Sequence, residues 1–244
     1  MNAIEAASLA GLGRESAAMT RSTGFMIVAG PQCAGKSTVK RYLYSRYMVC
    51  DPRGAETSLR HRNLALLPEM RQTVMHERDI HSAIFIDGET ELEVIRRDLK
   101  RMDDLRQEGG RVYLDETNIF TLAHARCRGV GVARHFEDYS ARLSSLDAAI
   151  LFLDVAPEIS WERRRGRYQE RVDGFPNDQA INVLDQYRRY LFEVYNALKE
   201  LTLEVGVPVM HVDAAQSKAA VLQACADAFT EHLRSRGTCL RSRF

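Results

Sequence analysis

The feature that most constrains the fold of this sequence is a glycine-rich segment between an apolar run and an amphipathic run. Residues 28–43 read VAGPQCAGKSTVKRYL. The pattern G-x-x-x-x-G-K-[ST] is satisfied by Gly30, Gly35, Lys36 and Ser37. The run Phe25–Ala29 is typical of a buried strand, and after Lys36 apolar residues recur at spacings of three and four, which indicates a helix. The segment is therefore predicted to connect a strand to the start of a helix.

A strand, glycine-rich loop and helix in this order predict a phosphate-binding site. Successive backbone N–H groups at the start of a helix form a concave anion site, and the helix dipole adds positive potential. The two glycines permit the tight backbone path, Lys36 can reach the β- and γ-phosphates, and the Ser37 hydroxyl can bind Mg²⁺. We therefore predict a nucleoside triphosphate site. The residues expected to contact it are Gly30, Pro31, Gln32, Cys33, Ala34, Gly35, Lys36, Ser37 and Thr38.

Four further short apolar runs, separated by helical patterns, predict the rest of a sheet. They are Leu64–Leu67, Val112–Leu114, Ala149–Leu153 and Val207–Val212. Helical patterns are clearest at Glu89–Gln107, Pro157–Arg167, Asp178–Leu201 and Ser217–Leu233. The polar stretch 51–63 is predicted to be a loop. Because buried strands that alternate with helices form parallel sheets covered on both faces, the predicted fold class is α/β, a three-layer α/β/α arrangement around a five-stranded parallel sheet.

Charge and cysteine content restrict the class of protein. The 34 Lys and Arg residues nearly balance the 33 Asp and Glu residues, so phosphate binding is expected to be local. Five cysteines without metal-ligand spacing indicate free thiols in a reducing compartment. No apolar run is long enough to cross a bilayer, and no signal-peptide pattern is present. We expect a cytoplasmic protein with no membrane partner, a flexible leader over 1–23 and a basic, irregular tail over 235–244.

Carboxylates follow two of the predicted strands directly. Glu69 follows the second apolar run in LALLPEM, and Asp115 and Glu116 follow the third in VYLDET. Ligands of open α/β sheets bind at this edge, so these side chains are expected to face the phosphates. A carboxylate there can deprotonate an acceptor hydroxyl or hold Mg²⁺ through water. We predict catalytic roles for all three acids and for Lys36, with Asp115 and Ser37 holding the metal; a helix N-cap or a surface position is the alternative for each acid.

A cluster of arginines follows the fourth predicted strand. Residues 159–171 read ISWERRRGRYQER and hold five arginines within a few helical turns. Such cations repel one another unless anions visit them, and phosphoryl transfer depends on positioning and charge neutralisation. The segment 158–176 is therefore predicted to form an arginine-rich lid. A solvated basic helix face or a nucleic-acid contact is the alternative.

These parts together resemble the thymidylate kinase and deoxynucleoside kinase branch of the P-loop kinases. The segments that carry the resemblance are GPQCAGKST, LLPEM, YLDETN, LDVAPEISWERRRGR and VMHVDAAQSKAAV. The resemblance implies a P-loop kinase domain over 24–234 that uses ATP and Mg²⁺ and transfers the γ-phosphate to a hydroxyl of a nucleoside- or nucleotide-type acceptor. The roles it implies are Glu69 as base, Asp115 as the acid of the third strand, Arg163 and Arg167 as catalytic lid arginines, and Asp213 and Ala214 beside the adenine.

One departure from the family pattern bears on the acceptor. The family usually has an arginine next to the acid of the third strand, whereas this sequence has Glu116 and Thr117. An anion in place of a cation is expected to repel a monophosphate, which favours an uncharged hydroxyl. Two acceptors stay open: a free nucleoside or related alcohol, and a hydroxymethyl-pyrimidine such as 5-hydroxymethyluracil in DNA, the acceptor of a viral branch that resembles thymidylate kinases. A P-loop protein that hydrolyses nucleotides for regulation is the alternative class, and the helix Glu89–Gln107 could serve a homodimer interface.

Overall fold

The computed structural model describes residues 24–50, 64–81, 86–108 and 111–242. The predicted leader over 1–23 and the predicted loop over 51–63 lie outside these ranges. Within them, the chain has the predicted α/β fold around a five-stranded parallel sheet. In this part of the chain, none of the helices has the length and apolar character needed to span a membrane.

The elements follow one another as alternating strands and helices. The strands are β1 (Gly24–Ala29), β2 (Tyr47–Cys50), β3 (Leu64–Leu66), β4 (Val112–Glu116), β5 (Ala148–Asp154), β6 (Val209–Asp213) and β7 (Cys239–Ser242). The helices are α1 (Lys36–Arg46), α2 (Met70–Glu77), α3 (Gly88–Glu108), α4 (Thr121–Arg126), α5 (Ala133–Ser145), α6 (Pro157–Val172), α7 (Asn177–Glu204) and α8 (Lys218–Ser235). A 3₁₀ turn, Asn118–Phe120, directly precedes α4.

The five-stranded sheet has β1 at its centre. The strand order is β3-β4-β1-β5-β6, and every pairing is parallel. Ile27 is aligned with Asp115 on one side and with Ile150 on the other. All five apolar runs recognised in the sequence form this sheet, because strands buried on both faces are apolar along nearly their whole length.

Side chains of β1 alternate between two hydrophobic cores, one on each face of the sheet. Phe25 and Ile27 pack in the core covered by α3, α4, α5 and α7. Met26 and Val28 pack in the core covered by α1 and α8. This alternation is the period of two expected for a strand, and it gives the three layers that the sequence predicts.

The lid helix is longer than predicted. The expected end at Arg167 is five residues short of the observed end at Val172. Tyr168 and Val172 are both buried, so the apolar stripe of α6 continues through the arginine-rich segment. The many charged residues of this segment made the apolar stripe hard to recognise in the sequence.

A small second sheet was not predicted. Strands β2 and β7 pair antiparallel, with Tyr47 opposite Ser242. The segment 235–244 was expected to be irregular, but it contains the strand β7. The Tyr47 ring lies 5.7 Å from the ring of Phe229 in α8, which helps to hold β2 against this helix. Pairing between segments so far apart in the chain leaves no periodic signal in either of them, which is why the sequence did not indicate it.

Candidate active site

The loop between β1 and α1 closes tightly against strand β5. Gly30 has a φ of 140°, and a Cβ at this position would lie 2.5 Å from the carbonyl oxygen of Leu153. Gly35, the N-cap residue of α1, has a φ of 100°, in the left-handed region that glycine adopts at little cost. The chain therefore turns from the central strand directly into a helix, which is the geometry that a phosphate-binding loop requires.

The ammonium group of Lys36 lies over this loop. Its Nζ donates to the carbonyl oxygens of Gly30 and Pro31, at 3.0 Å each. Burial lowers the pKa of Lys36, and the carboxylates of Glu69 and Glu116 oppose this shift. Because both hydrogen bonds are to neutral carbonyls, the positive charge over the loop remains available to a phosphate group.

Glu116 closes the other side of the first turn of α1. Ser37 Oγ donates to Glu116 Oε2 at 3.1 Å, and Lys40 Nζ lies 3.1 Å from Glu116 Oε1. Lys40 also donates to the carbonyl oxygen of Leu67 at 2.8 Å, so it links α1 to the chain after β3. The negative charge of Glu116 is therefore balanced by Lys40, a pairing that the sequence analysis did not foresee.

A cleft of about 630 Å³ opens at the edge where β1, β3 and β4 end. The residues that line it are Gln32, Cys33, Gly35, Lys36, Ser37, Thr38 and Arg41 from the loop and α1; Glu69, Arg71, Gln72, Met75 and His81 from the region of α2; Glu116, Thr117 and His124 from the end of β4 and α4; and Arg164, Arg167 and Arg171 from α6. Six of these are Lys or Arg and two are carboxylates. The cleft is therefore strongly positive, although the whole chain is nearly neutral.

Glu69 lies in the cleft, where the sequence predicts it. It holds the N-cap position of α2, but its side chain makes no capping hydrogen bond. Burial raises the pKa of its carboxyl, and the charge of Lys36 partly offsets this effect. The alternative that the Glu69 side chain serves as a helix cap is thus not what the structure shows.

Asp115 does not face the cleft, contrary to expectation. Its carboxylate is buried and lies 2.7 Å from Arg101, which also contacts Asp98 at 2.7 Å. Asn118 Nδ2 and the backbone N–H of Glu116 donate to the two oxygens of Asp115, at 3.1 and 2.8 Å. Successive residues of a strand point to opposite faces, so only one member of the Asp115–Glu116 pair can reach the cleft. Asp115 instead ties β4 to α3.

Helix α6, the predicted lid, is attached to the phosphate loop. Ser160 Oγ donates to the carbonyl oxygen of Gln32, and the Tyr168 hydroxyl donates to Gln32 Oε1 at 2.7 Å. The Tyr168 ring stacks on Tyr187 of α7 with ring centroids 4.2 Å apart. The lid is therefore the first helix of a pair whose packing fixes it beside the loop.

The arginines of α6 divide into two groups. Arg167 lines the cleft with Arg164 and Arg171, as neighbours on one side of the helix. Arg163 does not belong to this lining. Its guanidinium donates to the carbonyl oxygen of Ala214 at 2.9 Å and to that of Cys33 at 3.4 Å.

Arg163 therefore links the phosphate loop to the turn after β6. Asp213 shapes this turn, because its carboxylate accepts from the backbone N–H of Ala215 at 2.9 Å. Asp213 and Ala214 lie beside the loop through this link, and their contact with an adenine stays a prediction.

Several residues that line the cleft were not predicted as site residues, among them Arg71, His124 and Thr117. Arg71 comes two residues after Glu69, at the start of α2, and this proximity could have indicated it. His124 is distant in sequence and gave no signal. Thr117 has a φ of 71°, a strained value for a β-branched residue, and strained positions of this kind cluster at functional sites.

The oxygens of Ser37 and Glu116 fit a magnesium ion that arrives with a nucleotide. In the described part of the chain, no group of three or more His, Cys, Asp or Glu side chains could hold a metal ion. Mg²⁺ commonly takes only one or two protein oxygens and fills its other positions with phosphate and water. The Ser37 and Glu116 side chains, 3.1 Å apart, match that requirement, whereas Asp115 does not.

The parallel five-stranded sheet and the glycine-rich loop after its central strand give this chain the P-loop kinase fold. No family model matches the sequence, and no curated protein matches it. A deoxyadenosine kinase from M. mycoides, solved with dCMP and a flexible dCDP, is 12% identical with a TM-score of 0.50 over 87% of this chain and 99% of that chain.

Similar solved structures also include two further proteins. The YorR protein from Bacillus subtilis, in complex with phosphorylated GDP, is 13% identical with a TM-score of 0.47 over 87% of this chain and 98% of that chain. Shikimate kinase from Acinetobacter baumannii, in complex with shikimate, is 16% identical with a TM-score of 0.45 over 88% and 92%. Identities at this level show the fold alone, and membership of the thymidylate kinase-like family stays a prediction.

Proposed function

We propose that this protein is an ATP-dependent kinase that transfers the γ-phosphate to a hydroxyl of a nucleoside- or nucleotide-type acceptor. The observation that supports this proposal is that the phosphate loop, the Glu69 carboxylate and a row of arginines line one cleft. Its volume of about 630 Å³ is in the range of small-molecule sites, and its walls extend past the loop to α2 and α4. The cleft therefore has room for an acceptor beside the nucleotide.

Charge neutralisation is the main contribution of the loop and the lid. Lys36 holds a positive charge over the loop, where the β- and γ-phosphates are expected. Arg164, Arg167 and Arg171 add cations along the lid wall of the same cleft. When bound, Mg²⁺ would neutralise further phosphate charge, held by Ser37 and Glu116.

Glu69 is the proposed base. Its carboxylate takes the proton of the acceptor hydroxyl as that oxygen bonds to the γ-phosphorus and the bond from phosphorus to the departing ADP oxygen breaks. A raised pKa makes Glu69 a stronger base than an ordinary glutamate, and the nearby Lys36 charge favours the ionised form. Glu69 is therefore better suited than an ordinary glutamate to accept the proton of the acceptor hydroxyl.

Nucleotide hydrolysis for regulation is the second candidate function. The contact between Ser37 and Glu116 fits both candidates, because a carboxylate beside the metal-binding serine is as useful to a hydrolase as to a kinase. The two candidates differ in one respect: only the kinase requires a base directed at an acceptor alcohol.

The Glu69→Gln variant tests the proposal, because it removes the base and keeps the size of the side chain. We expect the dissociation constant of Mg·ATP to change by less than about threefold and single-turnover transfer to fall by about 10²–10⁴-fold. The acceptor panel contains nucleosides, nucleoside monophosphates and DNA with 5-hydroxymethyluracil. Glu77→Gln, at an exposed carboxylate of α2 that pairs with Arg97, is the matched control and should transfer normally. Wild-type transfer by Glu69→Gln would refute the assignment of the base.

A further inference from the structure

Arg71, in the wall of the cleft, has buried N–H donors that lack acceptors in the described part of the chain. Its side chain is 3% exposed, and its Nη2 donates to Glu91 and to the hydroxyl of Tyr190. Its Nε and Nη1 are buried and have no hydrogen-bond partner among the described residues. Glu91 Oε2 is likewise buried without a partner within the described ranges. A fork pairing with Glu91 would use this oxygen for one of the two nitrogens, so a buried N–H group of the Arg71 cation still calls for an oxygen from elsewhere.

The Tyr190 hydroxyl also determines which nitrogen of His124 carries the proton. Tyr190 Oη accepts from Arg71 at 3.1 Å and lies 2.6 Å from His124 Nδ1. The Tyr190 proton is buried, and Nδ1 is the acceptor that the described residues offer it. Burial, with help from neighbouring cations, lowers the pKa of His124 well below its usual value, so the ring is neutral. A neutral ring that accepts at Nδ1 carries its proton on Nε2, and His124 is therefore a donor in the cleft wall.

We propose that Arg71 and His124 form an oxyanion subsite in the acceptor half of the cleft, so that the acceptor alcohol carries a phosphate or a carboxylate group. Both residues line the cleft, and they come from α2 and α4 rather than from the phosphate loop or the lid. Guanidinium and imidazole N–H groups together match the several oxygens of one oxyanion. The inference rests on the proposed function, since it assigns an acceptor class to the same cleft.

The positive charge of the cleft is consistent with the binding of a second anion beside the nucleotide. Six cationic side chains line it against two carboxylates. Arg71 is paired with Glu91, and Glu116 with Lys40 at 3.1 Å, so five lining cations remain against Glu69. The repulsion that the sequence predicts between Glu116 and an anionic acceptor is therefore neutralised within the protein. The remaining positive charge exceeds what Glu69 alone can balance.

The test follows the Nε–H resonance of Arg71 in the ¹⁵N-labelled full chain, loaded with magnesium and a non-hydrolysable ATP analogue. The resonance is assigned by its loss in Arg71→Lys. Sodium phosphate and sodium acetate are titrated separately at constant ionic strength, with sodium chloride as reference. We expect a saturable shift at millimolar phosphate or acetate and none with chloride, and the tighter anion distinguishes the two acceptor classes. The absence of a saturable shift with either anion would overturn the subsite.

Two variants separate a specific subsite from general attraction. Arg71→Gln with Glu91→Gln removes the ion pair without leaving a buried carboxylate, and anion affinity read at the Nε2–H of His124 should fall at least about tenfold. Arg41→Gln removes one charge from the α1 wall of the same cleft and should change the affinity less than about twofold. Equal losses in both variants would contradict the proposal.

Two further measurements keep the subsite separate from the kinase proposal. The ¹⁵N spectrum of His124 should show a neutral ring protonated at Nε2, and the opposite tautomer would contradict the donor array. If the ATP analogue does not bind, the proposed function fails, and the same anion titration of the nucleotide-free protein still decides the subsite at Arg71.

Discussion

Gly30 is the residue at which the phosphate loop has the least freedom. A Cβ there would meet the Leu153 carbonyl oxygen at 2.5 Å, and its φ of 140° is disfavoured for any other residue. Gly166, by contrast, lies inside α6, and a Cβ there meets nothing within 4 Å. Alanine substitutions at these two glycines can therefore be compared to test whether the loop geometry requires glycine at position 30.

Gly30→Ala is expected to lower the free energy of unfolding by about 2–4 kcal/mol and to abolish Mg·ATP binding, because strain and the clash with β5 distort the loop. Gly166→Ala should raise the free energy of unfolding by about 0.5–1 kcal/mol, since alanine is the better helix former. Urea unfolding and nucleotide titration of both variants measure these effects. Normal ATP affinity in Gly30→Ala would contradict the assigned loop geometry.

At the scale of elements, α6 acts on the cleft through one side only. Arg164, Arg167 and Arg171 line the cleft, whereas Arg165 lies close to Glu162 in the same helix at 4.0 Å and is 64% exposed. The two kinds of arginine differ in position but not in chemistry. Their comparison therefore tests whether α6 is a lid or a solvated basic helix.

Arg167→Ala is expected to lower the rate of phosphoryl transfer by about 10–100-fold, because it removes a cation from beside the transferred group while two neighbouring arginines remain. Arg165→Ala should change the rate by less than about twofold. Single-turnover kinetics at saturating Mg·ATP measure both. Equal rates in the two variants would place the transferred phosphate away from α6.

The packing of α3 against β4 depends on a buried arrangement of two carboxylates around one arginine. Burial raises the pKa of Asp98 to about 7, and burial also raises the pKa of Asp115. A carboxyl whose pKa is raised in the folded state binds its proton more tightly there than in the unfolded chain. Stability is therefore lost as the pH rises from the unfolded value of 3.8 through about 7.

Asp98→Asn should flatten this dependence. In the natural chain we expect the free energy of unfolding to fall by about 1–3 kcal/mol between pH 5 and pH 7.5, and by clearly less in Asp98→Asn. Asp104→Asn, at an exposed residue of α3 that pairs with Lys100, is the control and should keep the natural slope. Denaturant unfolding across this pH range measures all three proteins, and a natural slope in Asp98→Asn would show that Asp98 does not titrate there.

For the molecule as a whole, the sequence was sufficient to predict the central sheet and the glycine-rich turn from β1 into α1. Strands buried on both faces leave apolar runs, and a loop that binds phosphate needs glycines at fixed spacing, so both features are local in the sequence. The pairing of β2 with β7 is not local and was missed. The sequence also did not show that Glu116 faces the cleft while Asp115 does not, because this depends on which face of β4 lies against the cleft.

The residues on the proposed acceptor side of the cleft could not be predicted from the sequence for the same reason. Arg71, His124 and Tyr190 come from three different helices, and their contacts exist only after these helices pack. Lys40 likewise neutralises Glu116 through a contact between α1 and the end of β4. The predicted preference for an uncharged acceptor treated Glu116 as an unbalanced anion, because the contact with Lys40 cannot be read from the sequence.

The reaction proposed for this cleft is transfer of the γ-phosphate of ATP to an alcohol. Its most direct test is to incubate the protein with γ-labelled Mg·ATP and the acceptor panel and to measure label in phosphoesters and in free phosphate. We expect a labelled phosphoester that requires an acceptor and disappears in Lys36→Ala. Label released only as free phosphate, at one rate with and without every acceptor, would contradict the proposed reaction.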